Sequence, residues 1–278
     1  MIQLHSEIKR NCILIPFYSR LDLLESLLSS LSSYNVLVVD GSNGLLDSSK
    51  QPKHVFVLKN KGKSSFAHSV NLGLEYLEKQ EISQALLLND DAEISSSDCQ
   101  ILFAEWSEKQ LLSPKIIQAG EDIYGIKVKA WGRVSLLKEK QKPDALLGTC
   151  LLIPTELRFD VGFPHGFEDI ELSLRVKKHG YSLRVFDSVV CRHLGEASLS
   201  RKQRTGQRYS TYGHLRLYSS KRKAPIICIL SLLQIVKERG GYERYLGWVQ
   251  GVGDWSFKDC LSFAARMAPS SSGSSKAR

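Results

Sequence analysis

Residues 85–95 read ALLLNDDAEIS, an apolar run that stops at three adjacent side chains with oxygen donors. The apolar part, Ala85 to Leu88, is typical of a strand buried on both faces of a sheet. Asn89, Asp90 and Asp91 follow at its carboxyl end, which is where open α/β sheets bind ligands. Carboxylate and amide oxygens suit Mg²⁺ or Mn²⁺, which also bind phosphate oxygens. The stretch therefore predicts a divalent cation site, and the alternative is a polar turn that caps the next helix.

Strand and helix patterns alternate on the amino-terminal side of this stretch. The sequence predicts strands at 12–16, 35–40 and 54–58, and helices at 21–31 and 64–78. Ser19 and Asp22 have the spacing of a capping box for the first of these helices. This alternation predicts an α/β fold, Rossmann-like, with a mainly parallel central sheet flanked by helices.

The pattern continues on the carboxyl-terminal side. A strand is predicted at 145–154, with Gly148 and Thr149 in its middle, where small residues permit close approach of a ligand. A helix at 168–179 is closed by Gly180, and strand-like pieces follow at 182–186 and 188–191. We expect one α/β domain over residues 1–200.

The basic residues are concentrated beyond that domain. The chain has 278 residues and a net charge of +9, and residues 201–223 hold eight Lys or Arg and no acidic residue. We expect a basic and apolar helical extension at 201–268 and a disordered Ser/Gly-rich tail at 269–278. Residues 201–236 either lie against a membrane surface or form a solvated helix face followed by a buried helix. No recognised nucleic-acid-binding motif accompanies the charge, so nucleic acid is not an expected partner.

Cysteine spacing and hydropathy bear on the cellular compartment. The six cysteines lack metal-ligand or redox-motif spacing, which favours reduced thiols in a core. The amino-terminal residues do not resemble a signal peptide, and no apolar run reaches the roughly 18 residues that a membrane span needs. We expect a cytoplasmic protein, with peripheral contact at the inner face of the membrane as the alternative.

Polar residues follow each of the predicted parallel strands. They should meet at one edge of the sheet, where a nucleotide diphosphate would have its base near Asp40 and its phosphates near the cation. These residues are Pro16, Tyr18 and Arg20 after the first strand, Asp40 at the end of the second, Asn60 and Gly62 after the third, and Asn89, Asp90 and Asp91 after the fourth.

Seven motifs follow one another along residues 11–200. They are ILIPFYSR (13–20), VLVVDGS (36–42), N-x-G at Asn60 and again at Asn71, LLLNDDAEI (86–94), GTCLLIP (148–154), GFEDIELSLRVKKHGY (166–181) and RHLGEAS (192–198). In this order and spacing they resemble the family 2 inverting glycosyltransferases, which have the GT-A fold. Within that family they are most similar to bacterial rhamnosyltransferase-like enzymes of surface polysaccharide synthesis.

The resemblance implies a metal-dependent transfer of a sugar from a nucleotide diphosphate-sugar to a hydroxyl of a saccharide, lipid-linked saccharide or protein. It implies that Asp40 accepts a hydrogen bond from the base, and that Asp91 binds the metal, with His193 as a further ligand. The family has an aspartate where this chain has Asn89, so part of its role falls to Asp90. Gly148 and Thr149 are implied to line the sugar pocket, and Asn60, Gly62 and Asn71 of the N-x-G motifs are implied to contact the nucleotide-sugar.

The resemblance also implies that the Glu168-Asp169 pair holds the catalytic base. An acceptor hydroxyl must lose its proton as it attacks the anomeric carbon, and we assign that proton to Asp169. The start of a helix favours a charged carboxylate, which keeps Asp169 able to accept. The alternative is that the pair only stabilises the helix.

Two competing functions stay open at this point. A nucleotidyltransferase would have a Gly-rich, basic loop after the first strand, and IPFYSR is not such a loop. A catalytically degenerate scaffold would act through residues 201–236 as a membrane-surface or partner-binding module.

Overall fold

A computed structural model describes residues 11–42, 44–60, 65–128, 134–163 and 166–195, and Gly213, Arg216, Leu217, Arg244, Leu246 and Gly247. In this part of the chain the strands are β1 (Cys12–Phe17), β2 (Asn35–Asp40), β3 (Val55–Lys59), β4 (Gln84–Leu88), β5 (Ala92–Glu93), β6 (Gln110–Gln118), β7 (Glu121–Ile123), β8 (Ile126–Val128), β9 (Val134–Leu136), β10 (Cys150–Pro154) and β11 (Ser182–His193). The α-helices are α1 (Leu21–Ser30), α2 (Phe66–Lys79), α3 (Ser96–Glu105) and α4 (Glu168–Lys178).

The central sheet has the strand order β3-β2-β1-β4-β10-β6-β11-β5, and β7 pairs with β6. The predicted α/β fold is confirmed, and the sheet is mixed. Strands β1 to β4 are parallel, whereas β10 is antiparallel to both β4 and β6. Hairpin strands, rather than a crossover helix, precede β10, so it can enter antiparallel. Because β10 runs opposite to β4, its first residues lie at the carboxyl end of β4.

The core has two layers, one on each face of the sheet. Alternate residues of β1 show this division, since Ile13 and Ile15 pack on the side of α1 and α3, and Leu14 packs on the side of α2 and α4. Strand β4 is buried on both faces, as the apolar run predicted. Four cysteines of the described residues are buried free thiols, Cys12, Cys99, Cys150 and Cys191.

The predicted capping box at the start of α1 is wrong. Arg20 occupies the N-cap position, and its guanidinium donates to both carboxylate oxygens of Asp22, at 3.0 and 2.8 Å. This pairing holds the Asp22 side chain, so it does not reach back to Ser19.

Two other predicted elements have different bounds. The strand predicted at 145–154 begins at Cys150, and Gly148 and Thr149 form the turn that precedes it. The two strand-like pieces after α4 are one strand, β11, with an irregular register between Phe186 and Val190.

Gly73 allows α2 to pack closely on the sheet. A Cβ atom there would lie 2.3 Å from Leu14 Cδ1 and 3.0 Å from Val39 Cγ2. We expect Gly73→Ala to lower the free energy of unfolding by about 1 to 3 kcal/mol, as measured by equilibrium unfolding in urea. Overpacking should outweigh the gain of up to about 1 kcal/mol in helix propensity. Gly148→Ala is the control, since a Cβ there meets its nearest neighbours at 3.5 Å. A more stable Gly73→Ala protein would contradict this account.

Most of the predicted extension at 201–268, and all of the tail at 269–278, lie outside the described residues. The positions described within the extension are helical, and Leu217 is buried. No described helix has the length and apolar character to span a bilayer.

Candidate active site

The acidic turn follows β4 directly and is held on both sides. Asn89 N donates to Thr149 O at 2.9 Å, and Tyr18 N donates to Asp90 Oδ2 at 3.4 Å. Asp90 and Asp91 are both buried. Burial, together with the charge of Asp91, raises the pKa of Asp90 to about 6. Two adjacent buried carboxylates repel each other, and a bound cation would offset that repulsion.

His193 lies at the end of β11, directly beside Asp91. Its Nε2 is 3.3 Å from Asp91 Oδ1, and the two side chains are 10% and 1% exposed. His193 Nδ1 and Asn89 Oδ1 have no hydrogen-bond partner among the described residues. Buried polar atoms are normally paired, so these two atoms leave capacity for a ligand or water near Asp91.

The donor set fits a divalent cation that is only partly enclosed by protein. Among the described residues, no cluster of three or more His, Cys, Asp or Glu side chains could hold a metal. Mg²⁺ and Mn²⁺ commonly take one or two protein ligands and complete their shell with water and substrate phosphates. Asp91 and His193 suit such a site.

Glu168 and Asp169 open α4, after Phe167 in the left-handed conformation with φ 72°. Asp169 Oδ2 accepts from Gly148 N at 3.1 Å, and Oδ1 accepts from Ile170 N at 2.8 Å. These two bonds favour the charged carboxylate. Glu168 is buried, and its Oε2 has no hydrogen-bond partner among the described residues. Burial, with the charge of Asp169 added, raises the pKa of Glu168 to about 8.

The raised pKa of Glu168 predicts how stability depends on pH. Between its ordinary value of 4.5 and about 8, the folded protein retains a proton that the unfolded chain loses, so stability falls as pH rises through this window. Glu168→Gln should therefore gain stability over the wild type from about pH 5 to about pH 8, by at most about 5 kcal/mol. Urea unfolding across this range, with Glu171→Gln as the control in the same helical turn, measures the gain. A constant difference between Glu168→Gln and wild type would contradict the burial of a protonated carboxyl.

The turn before β10 joins the acidic turn to the Glu168-Asp169 pair. Gly148 N binds Asp169, and the next residue, Thr149, binds Asn89 through its carbonyl oxygen. The antiparallel entry of β10 thus brings these two groups of carboxylates to the same edge of the sheet.

Tyr18 lies between the same two groups. Burial raises its pKa far above the ordinary range, a neighbouring Ser69 offsets part of the rise, and the charges of Asp90 and Glu168 add to it. Its ring packs on Gly41, where a Cβ would lie 3.1 Å away.

Pro16 and Arg20 flank Tyr18 in the chain. Pro16 is buried within β1, and pairing between β1 and β4 ends two residues earlier, at Leu14 and Leu87. Pro16 has no N–H with which to extend that pairing. Arg20 is near enough to Asp90 for its charge to lower the pKa of that carboxyl slightly.

Asp40 is already well bonded at the end of β2. Its carboxylate accepts from Ser42 N at 2.9 Å and from Lys59 Nζ at 2.6 Å, and the side chain is 1% exposed. Burial would raise the pKa of Asp40, but hydrogen bonds from Lys59 and Ser42 hold it below its ordinary value. Lys59 also donates to Leu46 O at 2.7 Å. Lys59 is the last residue of β3. The sequence pattern did not predict its pairing with Asp40.

The two N-x-G motifs have separate positions. Asn60 Nδ2 donates to Ser69 Oγ at 3.0 Å, beside Tyr18. Gly62 lies outside the described residues. Asn71 donates to Phe159 O at 2.9 Å and accepts from Phe159 N at 2.7 Å. Its amide holds this backbone segment in place, and the contact of Asn71 with the donor stays a prediction.

Two residues of α2 near this edge were missed by the sequence analysis. The Phe66 ring stands edge-on to Phe159, with centroids 5.8 Å apart, and lies 3.5 Å from a Cβ built on Gly148. Ser69 lies one helical turn further along α2 and binds Asn60. Their spacing of three residues is the only sequence signal that they share a helix face.

No protein-family model and no curated protein matches the chain by sequence. Solved structures do share its fold. A structure of GalNAc-T7 with UDP, GalNAc and Mn²⁺ aligns with a TM-score of 0.61 at 14% identity, over 94% of this chain and 57% of that one. The mannosyltransferase PcManGT from Pyrobaculum calidifontis, in complex with GDP-Man and Mn²⁺, aligns with a TM-score of 0.51 at 13% identity, over 92% and 79% of the two chains. S. aureus TarS aligns with a TM-score of 0.54 at 14% identity, over 88% and 48%.

These alignments establish the fold. The chain has a GT-A type, glycosyltransferase-like scaffold, and it spans a little over half the length of GalNAc-T7 and about half that of TarS. Two of the three structures contain Mn²⁺ and a nucleotide or nucleotide-sugar.

Proposed function

We propose that this protein is a metal-dependent inverting glycosyltransferase that moves a sugar from a nucleotide diphosphate-sugar to an acceptor hydroxyl. The observation that supports it most is the convergence of Asp91 and His193 with the Glu168-Asp169 pair, across the Gly148-Thr149 turn, at one edge of a GT-A scaffold. The acceptor class stays as the sequence predicted, namely a saccharide, lipid-linked saccharide or protein, in surface glycan synthesis.

Asp169 takes the proton of the attacking hydroxyl. Its two backbone hydrogen bonds orient the carboxylate and favour its charged form. Glu168 does not compete for this role, because its raised pKa leaves it mostly protonated at neutral pH. We assign a structural role to Glu168, which is buried at the site and can donate a hydrogen bond through its proton.

Asp91 and His193 would hold the cation, Mn²⁺ or Mg²⁺. When bound, the cation neutralises charge that accumulates on the departing diphosphate. Asn89 and Asp90 complete the turn, and the unpaired Asn89 Oδ1 is available to the cation or its water.

The remaining residues form the donor pocket. Asp40 accepts a hydrogen bond from the base, and Lys59 must share or release one carboxylate oxygen for this contact. We assign Pro16, Tyr18, Arg20 and Asn60 to the border of the nucleotide, and Gly148 and Thr149 to the sugar. The predicted role of Gly62 beside the nucleotide falls outside the described residues.

Release of nucleotide diphosphate from UDP-, GDP-, dTDP- and CDP-sugars with Mn²⁺ tests the proposal directly. We expect release from sugars of one nucleotide, increased by the right acceptor, with inversion at the anomeric carbon of the product. Retention of configuration would contradict the inverting mechanism, and no release from any donor would favour a degenerate scaffold.

The membrane contact of residues 201–236 stays a prediction. Leu217, in the middle of this segment, is buried against the protein. At least this part of the segment packs on the domain.

A further inference from the structure

Residues 201–223 form the basic segment, of which Gly213, Arg216 and Leu217 are described. These residues contact the residues that lead into α4. We propose that Arg216 is a positioning residue for Glu168 and Asp169, because its ion pair with Asp160 fixes residues 159–163 and 166–167 ahead of α4. This inference rests on the proposed function, because that function gives Glu168 and Asp169 their catalytic role. The contacts of Arg216 do not depend on it.

The Arg216 guanidinium is held from two sides, by the Asp160 carboxylate and by the Phe163 ring. Its Nη2 donates to Asp160 Oδ1 at 3.3 Å and to Oδ2 at 3.2 Å. It lies over the Phe163 ring at 5.4 Å from the centroid. The ion pair is about one-third exposed, so its value lies in the geometry that it fixes more than in its contribution to stability.

Gly162 makes this geometry possible. A Cβ atom at Gly162 would lie 1.8 Å from Arg216 Nη2, so any other residue would push the guanidinium away. Gly162 N donates to Asp160 Oδ1 at 2.8 Å, which closes the turn around the same carboxylate. The Asp160 carboxylate therefore binds both Arg216 and the backbone of its own turn.

A second contact reaches the residue immediately before the pair. Phe167 is in the left-handed conformation, which is strained for a bulky side chain and persists only where surrounding packing imposes it. A Cβ at Gly213 would lie 2.8 Å from the Phe167 ring, so the helix carrying Gly213 packs directly on it. Leu217 is buried in one cluster with Phe163, Phe167 and Ile170.

Through these contacts the basic segment can affect the orientation of Glu168 and Asp169. The φ angle of Phe167 sets the direction in which α4 begins, and α4 begins with Glu168. Loss of the Arg216 contact should let the loop shift, and displacements of about 1 Å at a catalytic group can cost up to about 100-fold in rate.

The test is a double-mutant cycle on Asp160→Ala and Arg216→Ala, with Gly162→Ala as a variant that displaces the guanidinium but keeps both charges. Arg184→Ala and Glu105→Ala form the matched control, because Arg184 also pairs with a half-exposed carboxylate, at 2.9 Å, and lies over a phenylalanine ring, at 5.1 Å. Hydrogen exchange of residues 166–171, kcat for nucleotide release and the thermal shift with nucleotide are measured for each.

We expect exchange of residues 166–171 to become about 10-fold faster and kcat to fall about 10-fold in Arg216→Ala, Asp160→Ala and Gly162→Ala, with an unchanged nucleotide shift. The double variant should lose no more than the larger single loss. Arg216→Lys should recover part of kcat, because it restores the charge but not the planar guanidinium. The control pair should leave all three measurements unchanged.

Unchanged exchange at 166–171, or losses that add in the double variant, would overturn the inference. If the wild type releases no nucleotide from any donor, the proposed function fails, and the exchange data alone still decide whether Arg216 positions the start of α4.

Discussion

Asp169→Asn is expected to lower kcat for sugar transfer by about 1,000-fold, within the 10²- to 10⁴-fold range that general bases contribute. The amide has nearly the shape of the carboxylate but cannot accept the proton of the acceptor hydroxyl. It also retains only one oxygen, whereas Asp169 accepts from both Gly148 N and Ile170 N. Steady-state kinetics at saturating donor measures the loss, and the thermal shift with nucleotide should stay near the wild-type value.

Glu171→Gln provides the control for this result. Glu171 lies in the same first turn of α4, but its carboxylate pairs with Arg175 at 2.8 Å. It should keep near-normal kcat if the loss in Asp169→Asn comes from chemistry and not from weakening the start of the helix. A near-normal rate in Asp169→Asn would show that Asp169 is not the base.

Asp91→Ala is expected to abolish the Mn²⁺-dependent stabilisation of the protein by nucleotide. Among UDP, GDP, dTDP and CDP, the nucleotide that binds should add about 2.7 kcal/mol at 100 times its dissociation constant. For a domain of this size that corresponds to about 5 to 10 °C in Tm, and the increase should need Mn²⁺. His193→Ala should reduce the same increase.

Glu93→Ala separates ligation from a general loss of negative charge. Glu93 is two residues from Asp91 but is exposed on β5. It should keep the Mn²⁺-dependent shift, and equal losses in both variants would indicate long-range electrostatics instead of ligation. A shift of wild-type size in Asp91→Ala would rule out Asp91 as a metal ligand.

Repeated local patterns made the first half of the sheet predictable. Strands β1, β2 and β4 are apolar and buried along most of their length, and amphipathic helices lie between them. A window of about ten residues is enough to predict each of these elements. The second half was less predictable because its hairpins and the antiparallel β10 have no strong periodicity of their own. For this reason the predicted strand at 145–154 included the turn at Gly148 and Thr149, which precedes the observed strand.

The sequence and its family resemblance also predicted a candidate site. Asp91 follows a strand, His193 ends one, and Glu168 and Asp169 begin a helix. Their partners could not be read. Tyr18 binds Asp90 across 72 residues of chain and Asn71 binds Phe159 across 88, and no local pattern encodes such pairs.

Local patterns were enough to predict the α/β class, the strands along the site edge and the residue types there, because side-chain periodicity and turn chemistry act over a few neighbouring residues. The folded structure was needed to show that Gly148 N donates to Asp169, that Lys59 pairs with Asp40, that Arg216 pairs with Asp160 and that burial raises the pKa of Glu168. Hydrogen-bond partners and burial depend on segments that meet only when the chain is folded, and pKa values follow from both.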